Sequence, residues 1–213
     1  VRRIPGGIDP DWWRRPVADD AGPARRGGMV LAWGRVQYEK GFQVLARALA
    51  VLRTRMAGVE CVIAGRGSYL PELQSQIDLA GVGDLVELVG FVDDNDLREA
   101  IHRAGCVVIP SLYEPFGIVA LEALAAGAPL IVARTGGLAE LVTGTNAGVT
   151  FEPGNPDDLA DAIEQVLTNH DLATILVANA RDLVEHKYAW SAIARTTSDL
   201  YGDVVAAGRH PTT

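Results

Sequence analysis

The residues best suited to chemistry collect in one stretch, Ser111 to Glu122. Glu114 lies in the loop after an apolar run, and Glu122 lies eight residues later, inside a helical segment that is apolar nearly all round and is therefore expected to be buried. A carboxylate buried without partners costs several kcal/mol, so some hydrogen-bond donor must satisfy Glu122. Paired ribose hydroxyls suit a two-oxygen acceptor, and a structural partner from the backbone or an arginine is the alternative.

Groups that suit a phosphate occur at two helix starts. Gly117 and Ile118 open the helix that carries Glu122, where free N–H groups and the positive end of the helix dipole attract anions. Arg35 and Lys40 bracket a second helix start, within Gly34 to Gly41. Guanidinium, ammonium and amide groups together suit a diphosphate, although solvated loop charges explain these two basic residues equally well on their own.

A third glycine-rich segment, Gly65-Arg66-Gly67-Ser68, resembles a dinucleotide-binding loop at first sight. That loop would need a glycine where this chain has Leu70, and it would follow the first strand of its domain. We therefore exclude a nicotinamide-dependent oxidoreductase. Arg66 is left with two interpretations, a ligand contact or an exposed turn residue.

Metal chemistry is not expected. Asp94-Asn95-Asp96 has the spacing of a short acidic metal-binding motif, but capping of the next helix by Asp94 or Asn95 explains these residues better. The two cysteines, Cys61 and Cys106, lie in apolar stretches without metal-ligand spacing, which indicates reduced core residues.

A regular alternation of strands and helices must position these residues. Short apolar runs end at glycine or proline, and helical stretches with apolar residues three and four positions apart separate them. Continuous apolar strands indicate burial on both faces, and therefore a parallel sheet covered by helices. The sequence predicts a doubly wound parallel α/β sheet of six strands, over 29–33, 59–64, 85–89, 106–109, 130–133 and 148–151.

Helices are expected between these strands and in the last third of the chain. Asn155 and Pro156 have the residue types of an N-cap and a first helical position, and further helices are predicted to end near Tyr188 and to cover 191–205. The helices between the strands are predicted over 41–56, 69–80, 96–104, 117–126 and 138–142.

Composition limits the possible function classes. The chain has 213 residues, 48% hydrophobic, and a net charge of −8 that argues against broad nucleic-acid binding. No apolar run approaches the roughly 20 residues of a membrane span, and no signal peptide is visible, so a cytoplasmic location is expected. The chain begins with Val1 and not with Met, which favours a piece of a longer protein.

Taken together, these segments resemble the retaining glycosyltransferases of family GT4, which have the GT-B fold and include glycogen-synthase-like enzymes. The resemblance covers nearly the whole chain, as the C-terminal, nucleotide-sugar-binding half of such an enzyme. Five segments follow the family's order: Gly34-Arg35 through Glu39-Lys40-Gly41, Gly65-Arg66-Gly67, Gly90-Phe91-Val92, Glu114 to Glu122, and Gly136-Gly137-Leu138-Ala139-Glu140.

The resemblance implies roles for individual residues. Arg35 and Lys40 would neutralise the donor diphosphate without a metal, and Glu114 would face the donor sugar, so these three form the expected catalytic set. Glu122 would bind the ribose hydroxyls, and Val92 would contact the base through its backbone. The expected donor-binding set is Gly34, Arg66, Val92, Phe116, Gly117, Ile118 and Glu122.

The resemblance also implies a division of the chain. We predict an interdomain linker over 1–28, a Rossmann-like donor-binding domain over 29–189, a helix over 190–208 that crosses to an absent N-terminal domain, and a tail over 209–213. That N-terminal domain would supply the acceptor site and a catalytic-site histidine, so the fragment alone is expected to lack transfer activity. The linker reads Gly6-Gly7-Ile8-Asp9 where the family commonly has N-G-I-D, and His102, His170, His186 and His210 match no motif.

The favoured function is an α-glucosyltransferase that uses UDP- or ADP-glucose. A mannosyl or other hexosyl transferase, for example with GDP-mannose, is the next alternative. A GT-B nucleotide-sugar 2-epimerase is disfavoured because such enzymes lack the sequence Glu114-Pro115-Phe116-Gly117. A non-catalytic binding module is the third class, because fold alone does not fix function.

Overall fold

A computed structural model describes residues 4–15 and 26–208 of the chain. Its centre is a parallel sheet of strands β1 Arg26–Trp33, β2 Glu60–Ala64, β3 Val86–Gly90, β4 Ala104–Ile109, β5 Leu130–Ala133 and β6 Val149–Phe151. The strands lie in the order β3-β2-β1-β4-β5-β6, and all neighbours are parallel. The predicted six-stranded doubly wound sheet is confirmed. Its order reverses between β1 and β4, the place where such sheets bind ligands.

Helices cover both faces of this sheet, and each face has its own hydrophobic cluster. Val30 and Ala32 of β1 pack into one cluster, while Leu31 and Trp33 pack into the other. Burial on both faces is the reason for the continuous apolar strands. The helices are α1 Pro10–Arg14, α2 Phe42–Leu52, α3 Leu70–Ala80, α4 Asp94–Arg103, α5 Ile118–Ala125, α6 Gly136–Val142, α7 Pro156–Thr168, α8 His170–Leu183 and α9 Trp190–Gly208.

Both cysteines are free and buried in the sheet, on either side of Val30. Burial raises the pKa of the Cys61 thiol and raises that of Cys106 to about 12. A thiol with such a pKa stays protonated and unreactive at neutral pH. The interpretation of both cysteines as core residues is confirmed.

Backbone conformation sets helix ends that differ from the predicted ones. Helix α2 begins at Phe42 because Gly41 has a left-handed conformation, and a short 3₁₀ turn, Tyr38–Lys40, precedes it. It ends at Leu52 and not at Met56, since the chain closes there into a tighter turn. The prediction for α7 is confirmed, with Asn155 accepting hydrogen bonds from the backbone N–H groups of two following residues.

Helix α4 begins at Asp94, two residues before the predicted start. Its N-cap is Asp93, whose carboxylate accepts hydrogen bonds from the backbone N–H of Asn95 at 2.9 Å and of Asp96 at 3.0 Å. The prediction that Asp94 or Asn95 caps this helix is therefore wrong. Asp93 has the extended backbone of an N-cap, whereas the other two residues lie inside the first turn.

Replacement of Asp93 by alanine is expected to lower the free energy of unfolding by about 1 kcal/mol, because two backbone donors lose their acceptor. Asp94→Ala is the matched control, since it leaves the cap intact and is expected to change stability by less than about 0.5 kcal/mol. Urea unfolding followed by circular dichroism measures both variants. Equal losses for the two would contradict the assignment of the cap.

Part of the predicted linker is structured. Helix α1 is capped by Asp9, and Trp13 is buried against the domain. The Ile8 backbone N–H donates to the Tyr188 carbonyl at 2.8 Å, and the Trp190 N–H donates to the Ile8 carbonyl at 3.1 Å. The segment that precedes the sheet is thus tied to the segment that opens α9, and β1 starts at 26 and not at 29.

The division into linker, domain, crossing helix and tail stays a prediction. The predicted tail, 209–213, lies outside the described residues, as do 1–3 and 16–25 of the predicted linker. Within the part of the chain that the structure describes, no helix combines the length and the hydrophobicity needed to cross a membrane.

Candidate functional site

Two adjoining cavities open at the carboxyl ends of the central strands. The first, called the Glu122 chamber, has a volume of about 340 Å³. The second, called the Glu114 chamber, has a volume of about 240 Å³. Trp33, Gly34, Arg35 and Val119 line both, so the two chambers form one cleft.

Seven of the ten predicted site residues line this cleft: Gly34, Arg35, Lys40, Arg66, Val92, Glu114 and Glu122. The other three do not. Phe116 and Ile118 line a neighbouring groove of about 410 Å³, and they are 80% and 59% exposed. The helix that carries Glu122 is largely buried, as expected, but its first residue, Ile118, is exposed.

The loops after β1 and β2 pack backbone against backbone. The Gly34 N–H donates to the Ala64 carbonyl at 3.0 Å, and the Val36 N–H donates to the Arg66 carbonyl at 2.9 Å. A Cβ on Gly65 would lie 1.8 Å from the Gly34 oxygen, at a positive φ of 146°. The glycine of this loop is therefore required by the close approach of two chain segments, without any dinucleotide.

Lys40 and Glu114 form an ion pair, with 2.6 Å between Nζ and Oε2. Their side chains are only 17% and 9% exposed, so the pair is largely desolvated. The Gly117 N–H points to the other oxygen of Glu114, at 3.4 Å. The structure thus joins two residues of the expected catalytic set directly, and it directs the predicted phosphate-binding amide of Gly117 toward a carboxylate.

Backbone contacts hold this pair in place. The 3₁₀ turn that carries Lys40 is bonded to the loop after β4, where the Leu112 N–H donates to the Glu39 carbonyl at 2.8 Å. Gly41 approaches the same loop so closely that a Cβ would lie 1.9 Å from the Pro110 oxygen. The two loops that supply the pair therefore form one rigid unit.

Arg35 differs from Lys40 in having no ion-pair partner among the described residues. Its side chain is exposed. Because Arg35 lines both chambers, its guanidinium is available to an anion that lies across their junction.

Glu122 has a donor that the sequence did not identify. The Trp33 indole Nε1–H donates to Glu122 Oε2 at 3.0 Å, and Trp33 is 8% exposed. Burial raises the pKa of the Glu122 carboxyl, the bond from Trp33 lowers it, and the negative charge of Asp94 raises it further. The signal available in the sequence was a tryptophan at the end of an apolar run, directly before Gly34.

A cation and an aromatic ring also line the Glu122 chamber. The guanidinium of Arg66 lies 5.7 Å from the ring centroid of Phe91, which is 66% exposed. Val92 is half-buried beside them. Phe91 and Asp94 also line this chamber, although the sequence assigned Asp94 only to helix capping.

The three histidines that the structure describes do not line the cleft. His102 lies 3.0 Å from the Trp13 carbonyl through Nε2, and His170 and His186 are exposed. None of these three lines either chamber, and His210 is outside the described residues. In the described ranges no group of three or more His, Cys, Asp or Glu residues could hold a metal ion.

Comparison with known proteins identifies the family. The model of the family described as "Glycosyl transferases group 1" matches residues 20–183. An uncharacterised glycosyltransferase of Methanocaldococcus jannaschii is 40% identical over 81% of this chain and 44% of its own length. A glycogen synthase of Mycobacterium tuberculosis is 36% identical over 98% of this chain and 50% of its own length.

The solved structures agree with this result. Sucrose-phosphate synthase from Thermosynechococcus elongatus superposes with a TM-score of 0.82 at 31% identity, over 97% of this chain and 53% of that one. The chain spans about half the length of the curated relatives it matches. The ordered sequence segments, the parallel sheet and the family match together show that this chain belongs to the group 1 glycosyltransferases of the GT-B fold.

Proposed function

We propose that this chain is the donor-binding half of a retaining glycosyltransferase. The observation that carries the proposal is the two-chamber cleft, in which Arg35 joins a chamber with an acceptor carboxylate, Glu122, to a chamber with the Lys40–Glu114 pair. A nucleoside diphosphate sugar has a matching order of parts, with a nucleoside and a sugar on either side of a diphosphate. The Glu122 chamber has the volume of an ordinary small-molecule pocket.

Each part of the donor has a complementary group. The nucleoside lies in the Glu122 chamber, where the carboxylate accepts hydrogen bonds from ribose hydroxyls. The diphosphate lies at Arg35, which supplies a cation at the junction of the chambers. The sugar lies in the Glu114 chamber, where the carboxylate of Glu114 faces it and Lys40 faces the diphosphate.

The reaction breaks the bond between the anomeric carbon and a diphosphate oxygen, and the electron pair stays on that oxygen. The acceptor hydroxyl oxygen forms the new bond on the same face of the sugar, and its proton passes to the departing diphosphate. Negative charge therefore grows at the leaving oxygen in the transition state. Arg35 and Lys40 stabilise it from fixed positions, which is why we propose that no metal is required.

The donor is proposed to be UDP- or ADP-glucose, with mannosyl or other hexosyl donors as alternatives. The similarity to a glycogen synthase supports a glucosyl donor. The acceptor site is proposed to belong to an N-terminal domain that is not in this chain, so this chain alone is expected to bind a donor without transferring its sugar. A cytoplasmic location also stays a prediction.

Calorimetric titration of the 213-residue chain with UDP, ADP and GDP, each with and without EDTA, tests the proposal. We expect a dissociation constant between the micromolar and millimolar ranges for one of them, unchanged by EDTA. A folded sample that binds none of the three nucleotides would contradict the proposal. Binding that disappears in EDTA would contradict the metal-free mechanism alone.

A further inference from the structure

Trp33 occupies the boundary between the two chambers. It is the last residue of β1, where it pairs with Ala64 of β2, and its ring packs into one of the two hydrophobic clusters. Strand pairing and burial therefore fix the position of the indole. An indole has one N–H group, which donates and cannot accept. That single donor is directed at Oε2 of Glu122 over 3.0 Å.

We propose that Trp33 is the positioning residue for nucleotide recognition: its N–H holds one oxygen of Glu122 and leaves the other oxygen for the donor ribose. This inference rests on the proposed function. Among the described residues, Oε1 of Glu122 has no protein donor. The carboxylate is thus tethered at one oxygen and available at the other.

The surroundings of Glu122 show why it needs this tether. Burial favours the neutral acid, and Asp94, at the start of α4, adds a negative charge that acts in the same direction. Arg35 and Arg66 line the same chamber, but neither bonds to Glu122. Burial and Asp94 both raise the pKa of Glu122, and the hydrogen bond from Trp33 lowers it. A protonated Glu122 would lose an acceptor for the ribose.

A pH profile separates this role from simple packing. The affinity of the chain for the tightest nucleotide of the panel is measured between pH 5 and pH 8. In the wild type, affinity is expected to fall as the pH drops through the pKa of Glu122. In Trp33→Phe that pKa rises, so the fall begins at a higher pH. The loss relative to wild type is expected to approach about tenfold on the acid side of the profile and to become smaller toward pH 8.

Three variants serve as controls. Replacement of Trp33 by benzothienylalanine keeps the ring shape, removes the N–H, and is expected to reproduce the shift without a packing defect. Asp94→Asn removes the negative charge that raises the pKa of Glu122, and it is expected to move the midpoint of the pH profile to lower pH. Trp190→Phe changes an exposed tryptophan outside both chambers and is expected to leave the profile unchanged.

A second readout does not depend on nucleotide. Carbon-13 NMR of the Glu122 carboxyl in the free chain gives its pKa directly, and Trp33→Phe is expected to raise it. Equal weakening at every pH together with an unchanged Glu122 pKa would overturn the role of Trp33 while the proposed function stands. Failure of the wild-type chain to bind any nucleotide would overturn both.

Discussion

Replacement of Glu122 by alanine is expected to reduce the affinity for a nucleoside diphosphate by about 100-fold or more. Hydrogen bonds to a charged group contribute about 1.5–3 kcal/mol each, and the ribose loses such bonds when the carboxylate is removed. The change also leaves the N–H of Trp33 without an acceptor at the wall of the chamber. The lost ribose bonds weaken binding, whereas the unpaired N–H is present with and without nucleotide and lowers stability.

Calorimetric affinities of matched variants show which part of the nucleotide Glu122 contacts. Glu72→Ala removes a glutamate from the exposed first turn of α3 and is expected to leave affinity unchanged. The free nucleoside is expected to lose affinity by the same factor as the diphosphate in Glu122→Ala. In Arg35→Ala, by contrast, only the diphosphate is expected to bind less well. A Glu122→Ala variant within about threefold of wild type would contradict the assignment of Glu122 to the ribose.

The ionised carboxylate of Glu122 is expected to lower the free energy of unfolding at neutral pH. Burial raises the pKa of Glu122 in the folded chain above its unfolded value. The folded state therefore binds a proton more tightly, and the cost of the ionised carboxylate is present above the folded pKa and disappears as the pH falls through it. Glu122→Gln is expected to be at least as stable as wild type at pH 7 while binding nucleotide weakly, which is typical of a binding site and not of a core residue.

The sequence was sufficient for the sheet because its strands are buried on both faces. Val30, Leu31 and Ala32 are fully buried, and a run of this kind has few alternatives to a central parallel strand. Carboxyl ends of parallel strands meet at one edge of the sheet, so residues that follow neighbouring strands lie close together. Arg35 and Arg66, which follow β1 and β2, therefore line one cleft, and Glu122 of α5 lines it with them.

The contacts between those residues required the structure. Lys40 and Glu114 are 74 positions apart in the chain. The sequence analysis assigned each of them a contact with the donor and did not pair them with each other. Their pairing depends on how the turn at Lys40 docks on the loop after β4. The hydrogen-bond donor of Glu122 could not be predicted either. Trp33 belongs to an apolar run, and nothing in the spacing of that run indicates where the indole N–H points. Asp93, Asp94 and Asn95 all have residue types that can cap a helix, and the backbone angles show that Asp93 is the cap of α4.

Lys40→Met is expected to lower the free energy of unfolding by about 3 kcal/mol, because it leaves the carboxylate of Glu114 largely buried without its counterion. The double variant Lys40→Met/Glu114→Gln removes both charges and is expected to regain most of that loss. Arg55→Met, which breaks an exposed pair with Asp161, is the matched control and is expected to have a much smaller effect. Urea unfolding measures all three. A Lys40→Met variant as stable as wild type would show that the pair is not desolvated.

Binding by the same double variant separates two roles of Lys40. In the free chain its charge is neutralised by Glu114, so an incoming diphosphate must share the ammonium with that carboxylate. If the charge of Lys40 acts on the diphosphate, the double variant regains stability but still binds the diphosphate about tenfold more weakly than wild type. If Lys40 serves only as the counterion of Glu114, affinity returns together with stability. We expect the first result, because the same turn places Lys40 in the chamber that Arg35 also lines.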